Sequence, residues 1–148
     1  MNDKKYLSWL YRARMGKFPD LNHPKSFNKK LQWLKLNDQK PEYTEMVDKY
    51  LVKKHVEKCI GEKYIIPTLG VRDDFDQIEF EELPNQFVLK TTHDFGGVVI
   101  CKDKAKFDKV AAKKKLEKSL KRNCYWAERE WPYKNVKPQI IVEKFMDF

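Results

Sequence analysis

Glycine is scarce in this 148-residue chain, at five residues, and no flexible Gly-rich stretch divides it into separately tethered parts. Cysteine is rarer still. Cys59, Cys101 and Cys124 are odd in number, widely spaced and form no C-x-x-C pair. That excludes a disulfide framework and points to a reducing compartment. His23, His55 and His93 are scattered along the chain, so no transition-metal centre is expected and no metal ligands are assigned. Long apolar runs are missing as well, in the opening MNDKKYLSWLYRARMGKF and after it. Neither a signal peptide nor a membrane span is read, and the expected location is cytoplasmic.

What is present is apolar and basic. Hydrophobic residues make up 41% and aromatics 14% of the chain, too much for a disordered segment. The formal net charge of +9 is concentrated: Lys102 to Arg122 carries ten Lys or Arg against Asp103, Asp108 and Glu117. Such a stripe attracts phosphates or an anionic polymer, or forms a solvated helix face.

Periodicity supplies the organisation. Tyr6, Leu7, Leu10 and Tyr11 suggest a first helix; Phe27, Leu31 and Leu34, behind Ser26 as N-cap, suggest a second. Pro19 and Pro24 separate them, and residues 1–40 read as a helical N-terminal lead-in. Asp48 is the expected N-cap of a helix presenting Val52, Val56, Cys59 and Ile60 on one face, with Gly61 in a left-handed terminal position. Tyr64 to Val71 is strand-like but holds Pro67, which confines it to an edge or bend. Asp73, Asp74 and Asp76 mark a turn. Phe87 to Leu89, ending at Lys90, and Val98 to Cys101 predict a hairpin. Asp108 caps a helix bearing Ala112, Leu116 and Leu120, stapled by Phe107, and Gln139 to Val142 reads as a buried strand. The fold class is α+β, a mixed α/β arrangement with an antiparallel or mixed sheet and flanking helices. Tyr125 to Tyr133 reads as packing under a loop, with Arg129 and Glu130 paired, or as a stacking surface.

Three positions invite chemistry. Lys49 is placed in the first turn of its helix, where the dipole disfavours a cation unless an anion binds there. Lys90 leads into TTHDFGG, whose Gly96 and Gly97 allow close backbone approach to phosphate, without the P-loop spacing. Glu143-Lys144-Phe145 follows the last strand and can offer a carboxylate and main-chain groups to a purine edge. Exposed ion pairing, a hairpin turn with glycines at positive φ, and a strand emerging into solvent are the respective plain alternatives.

The order of these pieces, and the strings FNKKLQWLKL, DKYLVKKHVEKCIGEKYIIPTLGV, LPNQFVLKTTHDFGGVVICKD and REWPYKNVKPQIIVEKF, resemble the TupA-like ATP-grasp family over about residues 25–148. The resemblance implies a partial ATP-grasp fold, with residues 41–148 forming the nucleotide-binding part. It implies that Lys49 and Lys90 bind the phosphates of ATP, that His93, Gly96 and Gly97 close over them, and that Glu143, Lys144 and Phe145 contact adenine. Relatives carry His-Gly-Ser-Gly-Gly where this chain has His93-Asp94-Phe95-Gly96-Gly97, an acid and a ring that would repel or crowd a triphosphate.

The implied activity is a carboxylate-activating ligase that forms an acyl phosphate for attack by an amine. Its context is bacterial surface polysaccharide synthesis, with Mg²⁺ as cofactor and an acidic sugar or amino acid as substrate. No acidic cluster follows Glu143, and a core strand at the C-terminus is expected to be left unpaired. The catalytic, metal-binding acids are therefore expected beyond Phe148, in a truncated chain inactive by itself. The alternatives are a glycosyltransferase, for which only Asp74-Phe75-Asp76 matches a D-x-D string, and a basic module for nucleic acid or anionic glycan. Nucleic acid is the less expected partner.

Overall fold

A computed structural model describes residues 1–147. Asn2 opens the first helix, α1 (Asp3–Met15), by accepting from the Lys4 amide at 2.8 Å, and Gly16 closes it in the left-handed region at φ 73°. The second helix, α2 (Phe27–Asn37), forms where its period predicts. Ser26 makes no side-chain cap bond, however, and Phe27, Leu31 and Leu34 stay exposed. Amphipathic spacing secured the helix; it did not supply a partner for its apolar face.

A short helix, α3 (Glu42–Val47), follows Pro41 and was not expected. The signal was there, since proline at a helix start followed by Glu42 and Glu45 in the first turn suits the N-terminal dipole. Asp48 does cap the next helix, α4 (Leu51–Ile60), accepting from the amides of Tyr50 at 2.8 Å and Leu51 at 3.1 Å. Gly61 has φ 96° but ψ 157°, an extended glycine conformation rather than the left-handed helical turn expected.

The strands β1 (Thr68–Arg72), β2 (Phe87–Thr91), β3 (Val98–Cys101) and β4 (Ile140–Lys144) form one sheet in the order β1-β4-β2-β3. Every neighbouring pair is antiparallel. Pro67 keeps β1 from starting earlier and, as expected, at an edge. The expectation about the last strand is overturned: β4 is central, paired by β1 on one side and β2 on the other. It has no open edge for a ligand, because the chain segment before the hairpin returns to cover it.

One face of the sheet carries Phe87, Leu89, Ile140 and Val142 against Phe75, Phe80, Ala112 and Leu116, with Phe107 alongside. Ala112 and Leu116 come from α5 (Lys109–Leu120), capped by Asp108, which accepts from the Ala111 amide at 2.9 Å. Phe75 belongs to this core, while Asp74 caps its turn and Asp76 is ion-paired with Lys113 at 2.5 Å. The D-x-D string therefore builds a turn.

The N-terminal helices meet the C-terminal aromatic segment. Arg129 follows α6 (Cys124–Glu128) in the left-handed region at φ 53°. It is buried and pairs with Asp3 at 3.0 Å, rather than with Glu130 as expected. Its guanidinium lies 4.2 Å from the Tyr6 ring centroid and 4.8 Å from that of Trp126.

Candidate functional site

Cross-strand partners share a face, and so do alternate residues of one strand. The register sets Val88 opposite Glu143 and Lys90 opposite Ile141, so Lys90 and Glu143 project from the same face, away from the core. There they meet, with Lys90 Nζ 2.6 Å from Glu143 Oε2. A third member comes from α4: Lys53 Nζ pairs with Glu143 Oε1 and donates to Ile66 O at 2.7 Å and Thr68 Oγ1 at 2.9 Å. Lys53 was not picked out from the sequence, although it stands one helical turn after Lys49.

Glu143 is only 4% exposed, and the Lys90 contact is an ion pair without a well-directed hydrogen bond to Oε2. Burial alone would raise the Glu143 carboxyl, but the two lysines outweigh it and hold it below the usual carboxylate range.

Lys49 directly follows the capping Asp48, at the N-terminal end of α4. Its amide is already committed, donating to Thr92 O at 3.1 Å. Its ammonium donates to Thr91 O at 2.8 Å and also to Asp94 O, and thereby grips the glycine loop. Burial pushes the Lys49 ammonium down, with neighbouring Lys90 adding to the effect and Asp94 opposing it.

Asp94 does not face outward to repel an anion. Its carboxylate turns inward and accepts from Thr91 Oγ1, from Ser119 Oγ of α5 and from the Gly97 amide at 3.1 Å. Burial would raise its carboxyl, but these hydrogen bonds prevail and lower it. Phe95 is exposed at the loop tip, its ring edge-on to Tyr133 at 6.2 Å.

Neither Gly96 nor Gly97 has positive φ, which removes the turn-chemistry explanation for this pair. Gly97 is required by proximity instead: a Cβ would lie 2.0 Å from Thr91 Oγ1 and 2.5 Å from Ser119 Oγ, whereas Gly96 has room. His93 is buried, with Nε2 2.9 Å from Arg122 O and Nδ1 without a partner. Lys144 and Phe145 lie at the opposite end of β2, where Lys144 is opposite Phe87 and Lys102 Nζ stands 5.8 Å from the Phe145 ring. The structure thus brings Lys49, His93, Gly96 and Gly97 to one loop, joins Lys90 to Glu143 beside it, and sets Phe145 apart.

Spacing alone passed over one pair: His55 Nε2 and Cys59 Sγ are 3.7 Å apart, four residues separated on exposed α4. Among the described residues no three His, Cys, Asp or Glu side chains gather to hold a metal, and no helix is long and apolar enough to cross a membrane.

A four-stranded antiparallel sheet flanked by helices, with Lys90 on a strand, Lys49 and Lys53 reaching in from the α4 side and a glycine loop beside them, defines a partial ATP-grasp-like α+β module. A family model described as TupA-like ATPgrasp matches residues 29–148, and the chain belongs to that family. No curated protein and no solved structure matches it.

Proposed function

We propose that this ATP-grasp, ligase-like module binds ATP on the sheet face bearing Lys90 and Glu143, with the phosphates toward Lys49 and the glycine loop and the base toward Phe145. One observation carries the reading: Lys53 and Lys90 share the buried carboxylate of Glu143, while Lys49, held by the carbonyls of Thr91 and Asp94, lies near enough to Lys90 for that lysine to disfavour its charged form. A surplus of cations held this close is relieved by a polyanion. Lys49 would exchange its loop carbonyls for phosphate oxygens, and Lys90 would turn from Glu143 toward the same group. Because β4 is paired on both sides, main-chain contacts to the purine fall to the segment after Lys144.

ATP supplies the phosphoryl group that such enzymes use to activate a carboxylate for attack by an amine. We place this chain in that reaction, in surface polysaccharide synthesis. The Mg²⁺ that the family employs finds no fitting ligand set among the described residues, so no step is assigned to it. No observation favours a glycosyltransferase, since Asp74 and Asp76 are committed to a turn and to Lys113.

Calorimetric titration with ATP, UDP-glucose and a short oligonucleotide tests the proposal. ATP should bind selectively. Lys90→Ala should weaken it roughly 10- to 100-fold, the scale of one charge-assisted contact of about 1.5–3 kcal/mol. ATP affinity indifferent to Lys90→Ala, or a preference for either competitor, would refute it.

A further inference from the structure

A cavity of about 680 Å³ lies between α1, α2, α3 and the Trp131–Tyr133 turn, and the nucleotide reading makes no use of it. Its size is that of a small-molecule site. Leu10, Tyr11, Leu31, Leu34, Trp131 and Tyr133 give it apolar walls.

Two wall residues of opposite charge are left with unused hydrogen-bonding capacity. The Lys35 ammonium, on a side chain 18% exposed, donates to Glu128 O at 2.9 Å and makes only long ion pairs beyond hydrogen-bond reach, with Glu130 Oε1 at 3.6 Å and Glu128 Oε2 at 3.8 Å. Among the described residues no donor reaches the Glu130 carboxylate. The remaining charged neighbours are occupied: Arg14 and Glu128 satisfy each other through contacts of 3.1 and 2.6 Å, and Asp38 accepts from Tyr43 Oη at 3.1 Å. An isolated anion at this wall meets Glu130, and an isolated cation meets Lys35. A zwitterion satisfies both and leaves its apolar remainder in the chamber.

We infer that this cavity binds an α-amino acid with a large apolar or aromatic side chain, its carboxylate on Lys35 and its ammonium on Glu130. The location links it to the proposed nucleotide site. Tyr133, in the wall, touches Phe95 at the tip of the glycine loop, and Val47, also in the wall, directly precedes Asp48-Lys49. A role for this amino acid as the second substrate rests on the ATP reading above; its binding does not.

Calorimetry on the full chain without nucleotide separates the two. L-Tryptophan and L-phenylalanine should bind, while phenethylamine and 3-phenylpropionate, each lacking one charge, should bind at least about tenfold more weakly, as should glucuronate. Glu130→Gln should weaken L-phenylalanine by a similar factor yet leave ATP binding unchanged. Leu34→Trp, which fills the chamber, should abolish amino acid binding, with circular dichroism confirming the fold. Equal binding of a single-charge analogue, preference for glucuronate, or no amino acid binding by the unaltered chain would overturn the inference. Lys90→Ala should retain amino acid binding, so a chain that binds ATP but no amino acid sinks this inference alone, and the converse sinks only the nucleotide reading.

Discussion

Glu143 sits between two ammonium groups where water scarcely reaches, and its negative charge is the condition on which Lys53 and Lys90 stay close. Its folded pKa is depressed below the unfolded value, so the unfolded chain binds the proton more readily and stability falls with acid. The contribution is complete above the unfolded glutamate pKa, about 4.3, and is lost as pH drops through the lower folded value. Asp94 behaves in the same direction through Thr91, Ser119 and the Gly97 amide. Urea unfolding between neutral and strongly acidic pH should therefore show a declining midpoint, and Glu143→Gln should flatten part of that decline while lowering stability at neutral pH. A midpoint in Glu143→Gln that falls as steeply as in the unaltered chain would contradict this account.

Among the elements, the glycine loop between β2 and β3 shows how a hairpin connection becomes a fixed structure. Lys49 holds it from the α4 side through the carbonyls of Thr91 and Asp94, and Ser119 of α5 holds the Asp94 carboxylate from the other. Gly97→Ala would drive a methyl into Thr91 and Ser119, both buried, and should cost about 1–3 kcal/mol by overpacking. Gly96→Ala, with no atom nearer than 3.9 Å, should stay within about 0.5 kcal/mol of the unaltered chain. Thermal unfolding of the two variants side by side checks the contrast. Asp94→Ala removes the acceptor shared by three donors and should speed amide hydrogen exchange across residues 93–97 while sparing β4.

For the molecule as a whole, Arg129 joins the start of the chain to its last third. It pairs with Asp3, donates to Trp126 O at 2.6 Å and faces the Tyr6 ring, while Tyr125 Oη donates to the same aspartate. Burial and Asp3 push the Tyr125 phenol up to about 12. Arg129→Ala should cost about 2–3 kcal/mol, less than a fully buried pair because Asp3 is partly exposed. The loss should be matched by Asp3→Ala to within coupling, as a double-mutant cycle in denaturant would measure.

What the sequence determined by itself was local. Spacing of apolar residues, Asp48 and Asp108 as caps, Pro67 at a strand start and the Lys90 hairpin are set by backbone geometry within a few residues, and α1, α2, α4, α5 and all four strands follow from them. The family strings carried the candidate lysines and the glycine loop in the same way. Tertiary structure decided everything that needed partners distant in sequence: β4 at the centre of the sheet, Lys53 on Glu143, Asp94 turned inward to Ser119, Arg129 on Asp3 rather than Glu130, and a chamber under α2. Charge pairing and strand order depend on which surfaces meet after collapse, and no periodicity along the chain encodes that meeting.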